Sequence, residues 1–543
     1  MKLFITLLLS IVVCSNISAE KLKVNIENPI LPVLTLKENN PVYKIQVIRN
    51  GSERYDLENI SFSLNGTTHS GDIAAMRLFL ANPKGRFSDQ TQLSVVNRPG
   101  KKVKMTLNYP VDQDTVTLWL ALQLKEKVEL TNRIGIRCTG IRSSYGMATL
   151  PDSINSLLRV GVALRQHKQD NIDTYRIPGL TTSKKGTLLA VYDGRIENAR
   201  DLQGDIDIVL NRSEDGGKTW QKLQTILDMG EWGNLPQKFN GVSDACILVD
   251  DANGDIYVAG LWMHGVLDNQ TGKWIGGLDQ NSKAWQHQWH GKGSQPGLDV
   301  KQTSQFLITK STDDGLTWSE PVNITPTTKR EEWWLYAPAP GHGITLKDGT
   351  LVFPTQGRDE KGLPFSNITF SKDNGKTWVT SNPAYSDVTE CMAVELEDGS
   401  VMLNMRDNRN RNNKDESNGR RICITKDLGE TWSEHPTSRQ ALIEPVCMGS
   451  IHRHEFFEKG KKKSILLFSN PDSRVARNRI TIKTSFDNGE TWPKENQVML
   501  DEYSGRGYSC LTSVNEHVIG IIYESSQADI VYQQIGISDL LKN

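Results

Sequence analysis

The chain is expected to be all-β, with a six-bladed β-propeller preceded by a β-sandwich. Two observations carry that expectation. An eight-residue phrase recurs five times after residue 212, and the stretch before it holds alternating strands without the phrase.

At the start, MKLFITLLLSIVVCSNISAE places Lys2 before about a dozen apolar residues and ends in Ile17-Ser18-Ala19. This is the pattern of a cleaved signal peptide over residues 1–19, so export to the periplasm, cell surface or medium is expected. Cys14 would leave with it. A lipoprotein reading of Cys14 suits the preceding Val12 and Val13 poorly. No other segment approaches the roughly 20 apolar residues of a membrane span.

Residues 21–150 alternate as strands do, for example in Tyr43-Lys-Ile-Gln-Val-Ile-Arg and Val116-Thr-Leu-Trp-Leu-Ala-Leu, which suggests a separate β-sandwich. Tyr145 to Leu157, with Gly146, Pro151 and several serines, reads as a linker before a new strand at Arg159 to Leu164.

From 158 to 543 the repeated phrase appears as SEDGGKTW from Ser213, STDDGLTW from Ser311, SKDNGKTW from Ser371, TKDLGETW from Thr425 and SFDNGETW from Ser485. A hydroxyl comes first, Asp third, Gly fifth, Thr seventh and Trp last. The Asp can accept turn N–H groups, Gly supplies a conformation that a Cβ resists, and Trp packs between sheets. The starts lie 98, 60, 54 and 60 residues apart, which suits one four-stranded blade per interval, with an insertion in the first. Six blades fill the region, one of them losing the phrase where the ring closes. The phrases themselves read as structural.

The insertion carries Trp262, Trp274, Trp285 and Trp289 beside His264, His287 and His290. Its polar, Gly-rich composition suggests either a sugar-facing lid or a loop packed on itself. The histidines lack metal-ligand spacing.

Of 543 residues 37% are hydrophobic and 23% charged, an ordinary globular balance long enough for more than one domain. A net charge of −1 leaves no nucleic-acid footprint; the run Lys461 to Lys463 reads as a solvated hairpin loop. Cys138, Cys246, Cys391, Cys423, Cys447 and Cys510 show no CxxC pairing and are expected as buried apolar groups.

Tyr175-Arg176-Ile177-Pro178-Gly179 stands before the first box and Asp193-Gly194-Arg195 one strand later. With the boxes, these segments make residues 160 to 543 resemble the bacterial exo-α-sialidases (neuraminidases). The N-terminal stretch is similar to the accessory domain of Bacteroidetes-type sialidases, which implies carbohydrate binding; a buttress for the propeller is the other reading.

The resemblance implies a retaining exo-α-sialidase. It would hydrolyse terminal α-linked sialic acids from glycoproteins, glycolipids and oligosaccharides through a covalent tyrosyl intermediate. Three arginines would hold the substrate carboxylate, since guanidinium offers a planar fork of donors and stays charged. Arg176 and Arg406 match two of them. The third lies among Arg474, Arg477 and Arg479, and counting back from the strand Thr481-Ile482-Lys483 favours Arg477. Tyr508, in Gly505-Arg506-Gly507-Tyr508, matches the nucleophile, and Glu390 the base beside it, because a free phenol titrates near ~10. The acid/base matches Asp201, 12 residues before Ser213, with Asp205 and Asp207 reading better as strand or turn residues. Asp244 matches a substrate-contacting aspartate and Arg195 a fourth arginine. No cofactor or metal is implied. Two other readings share much of this sequence: a non-catalytic Asp-box propeller that binds sugars or proteins, and a trans-sialidase.

Overall fold

The computed structural model describes residues 21–151, 156–202, 204–231, 237–265, 271, 287 and 292–541. The leader with Cys14, and Trp274, Trp285, Trp289 and His290, lie outside the described residues.

Alternation builds the N-terminal sandwich. One sheet orders Leu22–Glu27, Asn40–Arg49, Thr115–Leu124, Ile73–Leu80 and Gln92–Asn97, and the other Gly146–Met147, Arg137–Ser143, Tyr55–Ser63 and Lys102–Val111. Every second residue faces inward, so Tyr43, Ile45 and Val47 share a core with Leu57, Ile60 and Phe62.

This sandwich is more tightly joined to the rest than its sequence suggests. Val33–Thr35 leaves it and pairs in parallel with Leu157–Arg165, through Val160↔Val33 and Val162↔Thr35. Arg133–Gly135 pairs with the start of the same strand. Asn40 holds the Val33–Thr35 crossing in place by accepting from the Leu34 N–H at 2.9 Å and donating to the Leu34 carbonyl at 3.0 Å. Arg133 and Arg159 both donate to Asp539. A single apolar cluster therefore runs from Leu22 through Tyr192 to Tyr532.

Beyond the sandwich, the described strands form five sheets; dividing the nine-stranded one at its parallel contact Ile206↔Gly241 leaves six mainly antiparallel groups, each with four main strands. Five are continuous in sequence, opening with Thr174–Thr182, Asn240–Val249, Leu335–Pro338, Val388–Glu395 and Ser450–Glu458. The sixth combines Ser509–Asn515, Val518–Tyr523 and Ile530–Gly536 with Leu157–Arg165 from the other end of the region, which closes the ring. Each repeated phrase sits in the turn after the third strand of a continuous group. The sixth group has no such turn, because its fourth strand comes from elsewhere in the chain; this is why five phrases serve six groups.

The phrase chemistry is the same at all five positions. In the first, Gly217 N donates to Ser213 Oγ at 2.8 Å, Thr219 N to Asp215 Oδ1 at 2.9 Å, and the Thr219 hydroxyl to Asp215 Oδ2 at 2.6 Å. The fifth-position glycine is left-handed in each copy, with φ 93° at Gly217 and 92° at Gly489. Hydrogen bonds from the threonines hold the carboxyls of Asp313, Asp373 and Asp427 down at about 2. Two of the tryptophans pack on rings: Trp378 meets Tyr257 of the preceding group and Phe353 of its own, and Trp492 meets Phe468 of its own group.

Trp262 and His264 correct an expectation. They lie on the strand Ile256–His264, 2% and 0% exposed, with His287 buried against them, so these three belong to the core and not to a lid. The six cysteines are free and buried. Among the described residues, no helix is long and apolar enough to cross a membrane.

Candidate active site

The opening strands of neighbouring groups contact one another, except that Val388–Glu395 meets Leu351–Arg358 of the group before it, and this places them innermost. Three carry β-bulges, at Arg176/Gly179, Ser243/Cys246 and Val388/Cys391. A bulge inserts a residue and re-aims its neighbours. Arg176, Asp244 and Glu390 sit in or beside these three bulges. Backbone strain marks the same places, with left-handed φ at Ile177 (61°) and Asp244 (60°).

At the centre, the Tyr508 hydroxyl donates to Glu390 Oε1. Arg406 Nη1 donates to Glu390 Oε2 at 2.5 Å and to the Tyr508 hydroxyl at 3.0 Å. Arg176 and Arg477 each place their guanidinium carbon 5.5 Å from the centre of the Tyr508 ring. Burial and the Glu390 charge push the Tyr508 hydroxyl well above its ordinary value, against the opposing charges of Arg406 and Arg477, so the resting phenol keeps its proton.

The structure thus brings together Arg176, Arg406, Arg477, Glu390 and Tyr508 from four different groups. Of the three candidates for the third arginine, Arg477 reaches Tyr508. Its Nη1 and Nη2 are fixed by the carbonyls of Arg506 and Val446 at 3.0 and 3.1 Å. Arg479 is exposed, with φ 58°. Gly507 allows the approach: a Cβ there would meet Pro471 Cγ at 2.9 Å and Arg477 Cβ at 3.0 Å.

Asp201 lies at the rim, its side chain 81% exposed, with Oδ1 2.6 Å from Arg195 Nη1 and 4.0 Å from Arg176 Nη1. Partial burial raises its carboxyl, but the charges of Arg195, Arg176 and Arg477 outweigh that and hold it below the ordinary carboxylate range. Asp205 and Asp207 answer to other neighbours. Burial, with Asp228 beside them, pushes them up to about 6 and about 8. Asp244 accepts from Gln356 Nε2 at 2.9 Å, and burial, then the charges of Glu390, Asp193 and Asp201, push its carboxyl well up.

Two buried carboxylates to which sequence reasoning gave no role organise these groups. Glu524, 1% exposed, accepts from Arg176 Nε at 2.5 Å and from the Ile177 and Tyr508 N–H groups at 3.0 and 3.1 Å. Burial raises its carboxyl, and the Arg176 charge brings it below the ordinary value. Asp193 accepts from Arg195 Nη2 at 3.0 Å and from Ser243 Oγ at 2.7 Å. The only sequence signal for Glu524 is a carboxylate directly after the apolar run Val518–Tyr523. Among the described residues, no group of three His, Cys, Asp or Glu could hold a metal ion.

Comparison with known proteins gives the family. Residues 21–145 match the family described as the N-terminal domain of BNR-repeat neuraminidase, and residues 177–507 the BNR repeat-like domain. A sialidase of Bacteroides fragilis is 37% identical over 94% of both chains. A sialidase of Micromonospora viridifaciens is 30% identical over 66% of this chain and 50% of its own. The solved structure of the Hadza microbial sialidase Hz136 superposes with a TM-score of 0.83, at 33% identity over 95% of this chain and all of that one. Near full-length identity, both domain matches and the shared fold lead to one conclusion: the chain belongs to the BNR-repeat neuraminidase (sialidase) family of glycoside hydrolases.

Proposed function

We propose that the protein is a retaining exo-α-sialidase, cleaving terminal α-linked sialic acids from glycoconjugates through a tyrosyl intermediate. The observation that carries this reading is the Tyr508–Glu390 hydrogen bond inside a ring of three arginines from separate groups. The sugar's carboxylate would sit among Arg176, Arg406 and Arg477, placed before charge develops at the anomeric carbon. A carboxylate nucleophile would be repelled by that substrate carboxylate; a phenol is not. Because Tyr508 rests protonated, its proton passes to Glu390 as the oxygen attacks, and Arg406, bonded to both, stabilises the charge in transit.

Asp201 protonates the departing oxygen and later takes a proton from the attacking water. Resting Asp201 is an anion on Arg195, poorly suited to donating a proton. A bound substrate carboxylate would neutralise Arg176 and Arg477, two of the charges that hold Asp201 down, and so raise it towards the acid form. Two displacements at one carbon give retention. Arg195 and Asp244 complete the substrate contacts. The six four-stranded groups support a six-bladed propeller over 158–543 behind a sandwich at 21–150, and residues 1–19 support export.

The test is fluorophore release from a 2-α-sialoside by the purified mature chain beside Tyr508→Phe. Turnover in the first and its loss in the second are expected. No turnover in the parent would return the protein to a sugar-binding propeller.

A further inference from the structure

We propose that Glu444 and Arg420, a buried ion pair away from the reacting groups, are positioning residues that set the spacing of Arg406 and Arg477 and, through it, the recognition of the substrate's carboxylate. The inference rests on the sialidase reading of those two arginines and adds to it what holds them in register.

Both side chains are fully buried, with Arg420 Nη1 2.7 Å from Glu444 Oε2. The other carboxylate oxygen, Oε1, accepts the Asp407 N–H at 2.7 Å and Asn410 Nδ2 at 2.8 Å. The Asp407 N–H lies in the rigid peptide plane that begins at the Arg406 Cα, so this bond fixes the backbone from which the Arg406 side chain departs. Sheet pairing does not do so. Arg406 has no register partner in either neighbouring strand, because a bulge skips it on one side and the ladder to Arg421–Thr425 ends at Met405 on the other.

The second arginine is reached from the other end of the pair. Arg420 Nη1 also donates to the Cys447 carbonyl at 2.7 Å, and Arg420 Nε to Asn404 Oδ1 at 2.7 Å. Cys447 follows Val446, whose carbonyl accepts from Arg477 Nη2 at 3.1 Å. Val446 is left-handed, with φ 57°, a conformation its branched side chain resists, so this turn must be held from outside. Asn418 fixes the Glu444 backbone, accepting its N–H and donating to its carbonyl, each at 2.9 Å. A continuous chain of bonds therefore runs from the peptide after Arg406, through Glu444 and Arg420, to the turn that grips Arg477. The two arginines lie in neighbouring strand groups, and no sheet ladder joins those groups.

Stability alone is a poor reason to bury this pair. Taking two charges out of water costs about as much as their attraction returns, and apolar side chains of the same volume would hold the core as well. Apolar side chains could not accept the Asp407 N–H and meet the Cys447 carbonyl in fixed directions.

The test measures, by calorimetry on the full chain, binding of the 2,3-unsaturated analogue of sialic acid and of its C1 carboxamide. The parent should bind the acid at least roughly thirtyfold more tightly than the amide. Folded Glu444→Gln should lose about tenfold in affinity for the acid and less than about twofold for the amide, with KM for a fluorogenic sialoside rising in step with the first. The double variant Glu444→Gln/Arg420→Met leaves no uncompensated charge, so it keeps the measurement available where the single variant does not fold, and the same narrowing is expected. A pair with only a structural role would lower Tm and leave the acid-to-amide ratio of the folded protein unchanged; that result in either variant overturns the proposal while the sialidase reading stands. A parent that binds acid and amide alike would overturn the sialidase reading itself, and the proposal with it.

Discussion

Glu524 brackets Tyr508: its Oε2 accepts the Tyr508 N–H at 3.1 Å, and its own N–H donates to the Tyr508 carbonyl at 2.9 Å. The other carboxylate oxygen holds Arg176 and the Ile177 N–H. One buried side chain thus sets the position of the nucleophile's backbone and of an arginine beside its ring.

Glu524→Gln keeps the shape but leaves Arg176 buried without its counter-charge. Stability should fall by about 3–5 kcal/mol. In protein that still folds, kcat/KM should fall by roughly 30-fold or more, a loss of about 2 kcal/mol or more. Urea unfolding and steady-state kinetics on the same preparation measure both.

Glu390→Gln removes the proton acceptor of Tyr508 while leaving a hydrogen-bonding group in place. Turnover should drop by about a hundredfold or more. Arg406 would lose an ionic partner, so substrate affinity should be measured separately with a non-hydrolysed sialic acid analogue.

Arg195→Gln removes the largest charge that holds Asp201 down. The Asp201 carboxyl then rises, and more of it is protonated at a given pH. The alkaline limb of kcat/KM for a substrate with a poor leaving group should move to higher pH.

Asp207 offers a stability test away from the arginines. Burial raises its carboxyl from 3.8 to about 8, so between those values the folded protein holds more proton than the unfolded chain. Stability contributed by this site is therefore lost as pH rises through that window. Asp207→Asn should flatten the dependence of Tm on pH and raise Tm at pH 8, read by calorimetry from pH 5 to 9.

Trp492, 9% exposed, donates from its indole to Gly489 and packs on Phe468. Trp492→Ala should cost about 3–5 kcal/mol of stability. KM and kcat of the folded fraction should stay near the parent values.

Much of this was legible because turn chemistry is local. Hydroxyl, Asp, Gly, Thr and Trp at fixed offsets specify one turn wherever they occur, and five copies give the number of continuous strand groups. The residues proposed for the site were picked out by motif, as with Tyr508 after Gly505 and Gly507 and Arg176 before Ile177-Pro178. The part played by Glu524 was not, since a carboxylate just after a strand looks the same in sequence whether it meets water or an arginine 348 residues away, and nothing in Asp193-Gly194-Arg195 shows that Asp193 is buried against Arg195 and Ser243. Trp262 misled for a related reason. Its polar, glycine-rich downstream neighbours suggested a wet loop, yet the residue is the seventh of a nine-residue buried strand. Nor does local alternation reveal that Val33–Thr35 crosses to the closing sheet, which only long-range pairing decides.

The most direct measurement is mass spectrometry of the protein quenched during reaction with a 3-fluoro-sialosyl fluoride, whose fluorines speed attack on the enzyme and slow release. The expected result is one sugar on the peptide containing Tyr508, absent from Tyr508→Phe. A sugar on Glu390 or Asp201, or an unlabelled protein that still turns over sialosides, would contradict a tyrosine nucleophile.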